Sequence, residues 1–314
     1  MAVKFSLDPR HFKKHKPADN SSSGKGIFFE GDNGSTVILI HGLTGTPNEM
    51  KPLANYLNRR GFTVICPRMA RHGESIWVLK GVTWQEIYAS LRQVLLTGEA
   101  ARITGPIFVS GLSMGALFAL LLADEFRDRI DGVSCLAPTL FYDGWNTPLA
   151  KFFFPFAYTP LRHIFYFKEA LPYGIKNETI QQRIHKYYSA ARLDDTEDAE
   201  QYGYPYFPVT LLYQLQLMVK YMNKKFSGMN FPIQLIQAKD DDVASVRNSK
   251  FIYDRVSSEI KEMILLYNSY HVITADQERD TVAEKVTNFF DRLRAASPKS
   301  SRPDHASAAP DEHI

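Results

Sequence analysis

Short apolar segments alternate with amphipathic segments along most of the chain, and this alternation is the strongest constraint on its fold. The apolar segments, such as Thr36-Val37-Ile38-Leu39-Ile40, are rich in β-branched residues, which is typical of strands buried on both faces. The segments between them carry apolar residues at helical spacing, which indicates amphipathic helices. Because helices join successive strands, the sequence predicts an α/β fold with a mostly parallel sheet and helices on both faces.

Six segments are predicted to be strands of this sheet, and they are residues 36–40, 62–66, 107–109, 132–136, 233–236 and 263–266. Capping signals mark two helix starts. Thr46, Pro47 and Glu49 combine a capping side chain, a proline at the first helical position and an acidic residue suited to a capping box. Thr274 and Gln277 have the spacing of a second capping box, so the last helix is predicted to begin there.

The alternation stops at Pro138 and resumes at Phe231, which divides the chain into a core and an insertion. We predict an α/β core over residues 26–138 and 231–295, a mainly helical cap over residues 139–230, and disordered tails over residues 1–25 and 296–314. The cap sequence contains 21 of the 40 aromatic residues of the chain. These rings either form a small core of the cap itself or wall an apolar pocket beside the sheet.

Composition excludes several classes of protein. The chain is 45% hydrophobic and 23% charged, which excludes a collagenous, disordered or coiled-coil chain, and its net charge of +3 is too small to indicate a nucleic-acid surface. Cys66 and Cys135 lie within apolar runs, which predicts buried thiols rather than a disulfide. No apolar run approaches the ~18 residues of a membrane span. Because the N-terminus also lacks a signal-peptide pattern, we expect a soluble cytoplasmic protein without a transmembrane segment.

Gly111-Leu112-Ser113-Met114-Gly115 matches the G-x-S-x-G pattern of a nucleophilic serine. A predicted strand ends just before this motif and a long apolar helix begins just after it. A sharp turn in this setting lifts Ser113 above the sheet, and the flanking glycines leave room for the turn. The N-terminus of the helix also favours developing negative charge. We therefore predict that Ser113 is a catalytic nucleophile.

A nucleophilic serine needs a base, and the base needs a group that orients it. His271 follows the last predicted strand and precedes the last helix, so we expect it at the same sheet edge as Ser113. Asp240-Asp241-Asp242 follows the preceding strand, and only one of these residues can face the histidine because adjacent residues point differently. A solvated acidic turn is the alternative interpretation of this run. The order Ser, Asp, His along the chain is that of hydrolases with a serine at such a turn.

The segment His41-Gly42-Leu43-Thr44-Gly45 directly follows the first predicted strand. Its glycines let backbone N–H groups face a neighbouring cavity, so the N–H groups of Leu43 and Met114 are predicted to form an oxyanion hole. Removing such a donor typically raises the barrier by ~2.7–4 kcal/mol. His41 is predicted to hold this loop by hydrogen bonds rather than to act as a second base. His72 either borders the pocket or scaffolds a loop.

Together, four motifs resemble those of the α/β-hydrolase superfamily, and within it those of the small bacterial carboxylesterases and monoacylglycerol lipases. The motifs are His41-Gly42-Leu43-Thr44-Gly45, Gly111-Leu112-Ser113-Met114-Gly115, Gln237-Ala238-Lys239-Asp240-Asp241-Asp242 and His271-Val272-Ile273-Thr274-Ala275-Asp276. The resemblance covers roughly residues 27–138 and 231–294. It implies Ser113 as nucleophile and His271 as base. It further implies Asp241 as the acid, with Asp240 as the alternative, and Leu43 and Met114 as the oxyanion donors.

The expected function is that of a serine hydrolase that cleaves carboxylic esters, similar to a carboxylesterase or monoacylglycerol lipase, through an acyl-enzyme on Ser113. The expected substrate is a small-molecule ester with an apolar acyl or alcohol part. No organic cofactor, metal or nucleic acid is expected, and peripheral membrane contact through the aromatic cap and basic N-terminus is left open. The alternatives are a thioesterase, a lactonase or a C–C bond hydrolase with the same triad, or a non-catalytic ligand-binding protein of this fold.

Overall fold

The computed structural model describes residues 26–96, 105–147, 157–191 and 203–296. The strands in these ranges are β1 Ile27–Phe29, β2 Thr36–Ile40, β3 Thr63–Cys66, β4 Ile107–Leu112, β5 Ile130–Leu136, β6 Tyr166–Lys168, β7 Tyr206–Pro208, β8 Ile233–Ala238 and β9 Lys261–Leu266. The main helices are α1 Lys51–Arg59, α2 Ile76–Leu79, α3 Trp84–Leu96, α4 Met114–Glu125, α5 Glu178–Ala190, α6 Val209–Met222, α7 Arg247–Arg255 and α8 Arg279–Ala296. The predicted tails lie outside the described residues, apart from Ala296, where α8 ends.

Seven strands form one sheet in the order β1-β3-β2-β4-β5-β8-β9. Every neighbouring pair is parallel except β1 and β3, which are antiparallel. Side chains along β2 alternate between the two faces of the sheet. Ile38 and Ile40 join the apolar core that includes α3 and α4, whereas Val37 and Leu39 join the core that includes α1 and α8. Helices therefore cover both faces, and the predicted fold class is confirmed.

All six predicted strands are present, and four of them, β4, β5, β8 and β9, are longer than predicted. The extensions include Ser110 and Gly111 in β4, and Lys261 and Glu262 in β9, which are not apolar enough to continue the strand pattern. Strand β1 is not predicted, because its three partly exposed residues are too few to show the apolar pattern of a strand. The extension of β4 matters for the site, since it carries the strand directly up to Ser113.

The first predicted helix start is wrong in detail. Thr46 does act as a cap, accepting a hydrogen bond from the N–H of Asn48 at 3.3 Å, but Pro47–Met50 forms a 3-10 turn and α1 begins at Lys51. The Glu49 side chain does not complete a capping box, because its carboxylate accepts a hydrogen bond from the N–H of Gly42 instead. Glu49 is thus directed towards the loop after β2.

The last helix also begins later than predicted, at Arg279 rather than beside Thr274. The residues between β9 and α8 form turns. The buried carboxylate of Asp276 accepts hydrogen bonds from the N–H groups of Tyr270, Lys176 and Asn177 at 2.8 to 2.9 Å. Glu278, directly before α8, accepts from Tyr267, Asn268 and Ser269. This segment is therefore fixed both by the insertion packed against it and by its own carboxylates.

The described part of the insertion is mainly helical, with α5 and α6 where the spacing predicts helices. It also contains an antiparallel pair, β6 and β7, that the sequence does not predict. Several backbone hydrogen bonds tie the insertion to loops at the edge of the main sheet, including two to the loops after β2 and β9. Gly174 accepts from the N–H of Val272 at 2.7 Å, and the N–H of Tyr204 donates to Thr44 at 3.0 Å. The insertion is therefore held against the loops that follow β2 and β9.

Cys66 and Cys135 are free thiols with no exposed surface, as predicted. Burial raises the pKa of both thiols, so they stay protonated and act as small apolar core residues. Within the described ranges, no helix has the length and apolar character needed to cross a membrane.

Candidate active site

Ser113 lies in a tight turn between β4 and α4, with backbone angles of φ 58° and ψ −118° that non-glycine residues rarely adopt. Close packing requires both glycines of the motif. A Cβ atom at Gly111 would collide with the backbone of Gly115, and one at Gly115 would collide with the carbonyls of Ile40 and His41. The turn therefore holds Ser113 at the N-terminus of α4, as the motif predicts.

Ser113, His271 and Asp241 form one hydrogen-bonded chain. Nε2 of His271 lies 3.0 Å from Oγ of Ser113, and Nδ1 of His271 lies 2.9 Å from Oδ2 of Asp241. The three residues are buried, with exposed fractions of 8%, 7% and 3% for Ser113, His271 and Asp241. They meet because β4, β8 and β9 are parallel and end at the same edge of the sheet. The structure thus brings together the three side chains that the sequence predicts as nucleophile, base and acid.

The carboxylate of Asp241 is held in place by further hydrogen bonds. It accepts from the N–H groups of Val243 and Ala244 at 2.8 and 2.7 Å and from the side-chain amide of Gln237 at 2.7 Å. Backbone and amide donors stabilise the ionised form of a carboxylate. These three donors therefore fix the orientation of the Asp241 carboxylate beside His271.

The three consecutive aspartates have three different environments. Asp240 is exposed to solvent and does not contact His271 within the described residues. Asp242 is buried and accepts hydrogen bonds from the N–H of His271 at 3.3 Å and from the N–H of Gly174 at 3.2 Å. Asp241 is accordingly the aspartate that contacts the imidazole, while Asp242 joins the histidine loop to the insertion.

Thr139 contacts Ser113 and is not among the residues that the sequence predicts for the site. Its Oγ1 lies 3.0 Å from Oγ of Ser113 and donates to the carbonyl of Ala137 at 3.1 Å. Because that donation uses the only hydroxyl proton of Thr139, its oxygen can only accept from Ser113, and it competes with Nε2 of His271 for the single Ser113 proton. Thr139 follows β5 and belongs to no recognisable motif, so no sequence signal marks it.

The loop after β2 carries the first predicted oxyanion donor. Leu43 lines the cavity beside Ser113, and its N–H has no hydrogen-bond acceptor among the described residues. Met114, the second predicted donor, is the first residue of α4, where an N–H has no intrahelical acceptor. Both N–H groups are thus available to a bound oxygen atom.

Two buried histidines support this loop. His41 Nδ1 donates to the carbonyl of Gly42 at 2.9 Å, while its Nε2 accepts from the N–H of Met69 at 3.2 Å. This pair of bonds requires a neutral imidazole, in agreement with the lowering of the His41 pKa by burial. His72 Nε2 lies 2.6 Å from the carbonyl of Leu43. Neither histidine lines the cavity, so His41 has the predicted structural role and His72 scaffolds the same loop.

A cavity of about 360 Å³ opens beside Ser113 and His271. Much of its wall is apolar and comes from the insertion, with the aromatic residues Tyr142, Phe167, Tyr173, Tyr188 and Phe207 and the aliphatic residues Ile175, Ile180, Ile184 and Leu212. Phe167 and Leu212 also belong to a small apolar core within the insertion. Both interpretations of the aromatic residues therefore apply, since they pack against each other and line the cavity.

Carboxyl groups supply the charged part of the cavity wall. Glu49, Glu169 and Asp242 line it, and no lysine or arginine is found among its described lining residues. Burial raises the pKa of Glu49 and of Glu169 to about 7, and that of Asp242 to about 6. The sequence does not mark Glu49 or Glu169 as cavity residues, because Glu49 fits a helix cap and Glu169 lies outside any motif.

His271 is surrounded by groups that favour its protonated form. Burial is the largest single influence and lowers the pKa of its imidazole, but the charge and hydrogen bond of Asp241 and the charges of Asp242 and Glu49 together raise it by more. The net pKa lies above the ordinary value of 6.5. The site is therefore built to stabilise an imidazolium next to Ser113.

Metal binding has no support in the described part of the chain. No group of three or more histidine, cysteine, aspartate or glutamate side chains in these ranges is arranged to hold a metal ion.

The parallel sheet, the strained serine turn and the Ser–His–Asp chain define a hydrolase with the α/β-hydrolase fold. The family model described as serine aminopeptidase, S33, matches residues 31–278, and the chain belongs to this family.

Similar proteins agree with this assignment. The chain is 27% identical over 264 residues to a thermostable monoacylglycerol lipase of Bacillus sp. (strain H-257), covering 83% of this chain and 93% of that protein. It is 25% identical over 280 residues to a carboxylesterase of Bacillus subtilis (strain 168), covering 86% and 97%. A solved structure from work on two metagenome-derived lipolytic enzymes has a TM-score of 0.69 at 23% identity, covering 86% of this chain and 98% of that one, and supports the fold. Family and relatives together support carboxylic ester hydrolysis.

The different contacts of the two buried aspartates predict unequal effects of matched substitutions. Asp241→Asn removes the carboxylate that orients His271, and kcat/KM for p-nitrophenyl butyrate should fall by ~10³-fold or more. Asp242→Asn keeps an oxygen acceptor for the His271 N–H and should cost less than ~10-fold. A larger loss for Asp242→Asn would move the acid from Asp241 to Asp242.

The charges around His271 predict the pH dependence of the reaction. The base must be neutral, so kcat/KM should fall as the pH drops through the His271 pKa, with a midpoint above 6.5. Asp242→Asn removes a negative charge that favours the imidazolium, so the midpoint should move to lower pH. A kcat/KM profile that is flat down to about pH 4.5 would exclude His271 as the base.

Proposed function

We propose that the protein is a serine esterase that cleaves neutral, apolar carboxylic esters through an acyl-enzyme on Ser113. The observation that carries this proposal is the hydrogen-bonded chain from Asp241 through His271 to Ser113 beside an apolar cavity. The similarity to a monoacylglycerol lipase and a carboxylesterase also supports it.

In the acylation step, Oγ of Ser113 attacks the ester carbonyl while Nε2 of His271 takes the hydroxyl proton. Asp241 stabilises the imidazolium that forms. The N–H groups of Leu43 and Met114 hydrogen-bond the oxyanion of the tetrahedral intermediate. His271 then gives its proton to the leaving alkoxide, and the C–O bond of the ester breaks to leave the acyl group on Ser113.

Deacylation reuses the same groups. His271 takes a proton from a water molecule, the resulting hydroxide attacks the acyl carbon, and the bond to Ser113 breaks as His271 returns the proton to Oγ. Deacylation releases a carboxylic acid and regenerates the Ser113 hydroxyl, so the two steps together consume one water molecule and need no cofactor.

The cavity indicates which esters fit. Aromatic and aliphatic side chains of the insertion form much of its wall, and we assign residues 139–230 as a cap that binds the apolar part of the substrate. In their ionised forms Glu49, Glu169 and Asp242 would repel an anionic substrate, and because burial raises the pKa of the two glutamates to about 7, this repulsion grows as the pH rises through 7. The same chemistry on a thioester whose carrier bears phosphates is therefore disfavoured, whereas neutral thioesters and lactones remain alternatives.

The test is a substrate panel run with the wild type and the Ser113→Ala protein. The panel contains p-nitrophenyl esters from acetate to palmitate, a neutral thioester, a lactone, a monoacylglycerol, an ester with a free carboxylate and an aminoacyl p-nitroanilide. Neutral esters should be hydrolysed fastest, and the carboxylate-bearing ester should be slower than its neutral methyl-capped counterpart.

Ser113→Ala should lower kcat by ~10⁴-fold or more without changing the melting temperature of the protein. Turnover near the wild-type level in this variant would rule out Ser113 as nucleophile. Faster hydrolysis of the anilide than of any ester would replace the esterase assignment by a peptidase, in line with the description of the family. Absence of turnover on the entire panel would favour a ligand-binding protein.

A further inference from the structure

The side chain of Glu49 does not make the contact that its position in the sequence predicts. It stands three residues after the cap Thr46, where a glutamate normally turns back to the N–H of the capping residue. Here its carboxylate instead accepts a hydrogen bond from the N–H of Gly42. The side chain thus leaves the helix start and supports the loop after β2.

The fit between Glu49 and this loop is close. A Cβ atom at Gly42 would lie 3.1 Å from Oε1 of Glu49, and a Cβ atom at Gly45 would collide with the same carboxylate. Both glycines of the His41–Gly45 segment therefore make room for the Glu49 head group. The glycines that the sequence explains by backbone freedom also have this packing role.

The other backbone groups of the loop are held as well. The carbonyl of Gly42 accepts from His41, that of Leu43 accepts from His72, and that of Thr44 accepts from the N–H of Tyr204. Glu49 is the side chain that binds the N–H of Gly42. The N–H of Leu43 has no acceptor among the described residues, so it can serve as the oxyanion donor.

We propose that Glu49 is a positioning residue for the oxyanion hole: its contact with Gly42 fixes the Gly42–Leu43 peptide so that the Leu43 N–H meets the developing oxyanion. This inference rests on the proposed esterase function and names a further residue that the reaction needs. Because the oxyanion forms only in the transition state, Glu49 should affect kcat and leave KM nearly unchanged.

Glu49 also carries a charge effect that can be separated from its contact. Burial raises the pKa of its carboxyl group to about 7, and its negative charge raises the pKa of His271. The groups that interact with this carboxyl are Gly42 in the loop after β2, Cys66 at the end of β3, Glu169 and Tyr188 in the insertion, and His271 in the loop after β9. The contact should therefore govern kcat, and the charge should govern the pH profile.

Three substitutions separate the two effects. Glu49→Gln keeps an acceptor for the Gly42 N–H without the charge, Glu49→Asp keeps the charge on a chain too short for the contact, and Glu49→Ala has neither. The measurements are kcat, KM and the pH profile of kcat/KM on the best neutral ester of the panel, together with the melting temperature of each variant.

Glu49→Gln should keep kcat within about 3-fold of the wild type, whereas Glu49→Asp and Glu49→Ala should lose about 10-fold or more, with KM changed by less than about 3-fold. The acidic limb of the profile should move to lower pH in Glu49→Gln and Glu49→Ala but not in Glu49→Asp. If Glu49→Ala does not fold, the comparison of Gln with Asp decides alone.

The proposal is overturned if Glu49→Ala keeps the wild-type kcat, or if Glu49→Asp keeps kcat while Glu49→Gln loses it. It is also overturned if all three variants lose kcat alike, or if only KM changes.

A second measurement separates this failure from a failure of the esterase assignment. A fluorophosphonate reacts when Ser113 Oγ attacks phosphorus and fluoride leaves, and the same backbone donors stabilise its oxygen. Its labelling rate in the variants should follow kcat even if the natural substrate is not an ester, and equal rates in wild type and Glu49→Ala would contradict the role of Glu49.

Discussion

Ser113 has backbone angles that cost energy for any residue with a side chain, and the surrounding structure has to enforce them. Gly111 and Gly115 allow this turn, because each packs directly against backbone atoms where a Cβ atom would collide. The result is a hydroxyl raised above the sheet, at the start of α4 and within 3.0 Å of His271. His271, the loop after β2 and the cavity all lie around this one position.

Buried carboxylates that accept backbone N–H groups hold the loops around the serine. Asp241 binds the turn after β8, Asp242 joins the histidine loop to the insertion, Asp276 fixes the turns before α8, and Glu49 binds the loop after β2. Three of these side chains, Asp241, Asp242 and Glu49, also raise the pKa of His271. The groups that hold the loops therefore also favour an imidazolium on His271.

Much of the core could be predicted from the sequence, because buried parallel strands are continuous apolar runs and the serine turn has a distinctive motif. The residues that escaped prediction depend on contacts between distant segments. Thr139 meets Ser113 only because β4 and β5 are neighbours, and Glu169 reaches the cavity only when the insertion packs on the sheet. Glu49 was predicted as part of a helix cap since local spacing cannot reveal a competing tertiary partner. The same limit explains the late start of α8, where Asp276 binds the insertion.

Among the three consecutive aspartates, Asp241 is the one that contacts the imidazole of His271. Local chemistry leaves all three open, whereas the motif of the resembling family favours Asp241, and the carboxylate of this residue lies 2.9 Å from Nδ1 of His271. The turn after β8, in which the N–H groups of Val243 and Ala244 donate to Asp241, sets the different directions of the three side chains. Exposure of Asp240 and burial of Asp242 are consequences of the same turn.

The proposed reaction passes through a covalent acyl group on Ser113. Its most direct measurement is mass spectrometry of the protein after rapid acid quenching during turnover of p-nitrophenyl butyrate, followed by peptide mapping. The account predicts one butyryl group per protein, on the peptide that contains Ser113 and on no other. A steady turnover without any acylated protein, or an acyl group mapped to a different residue, would contradict it.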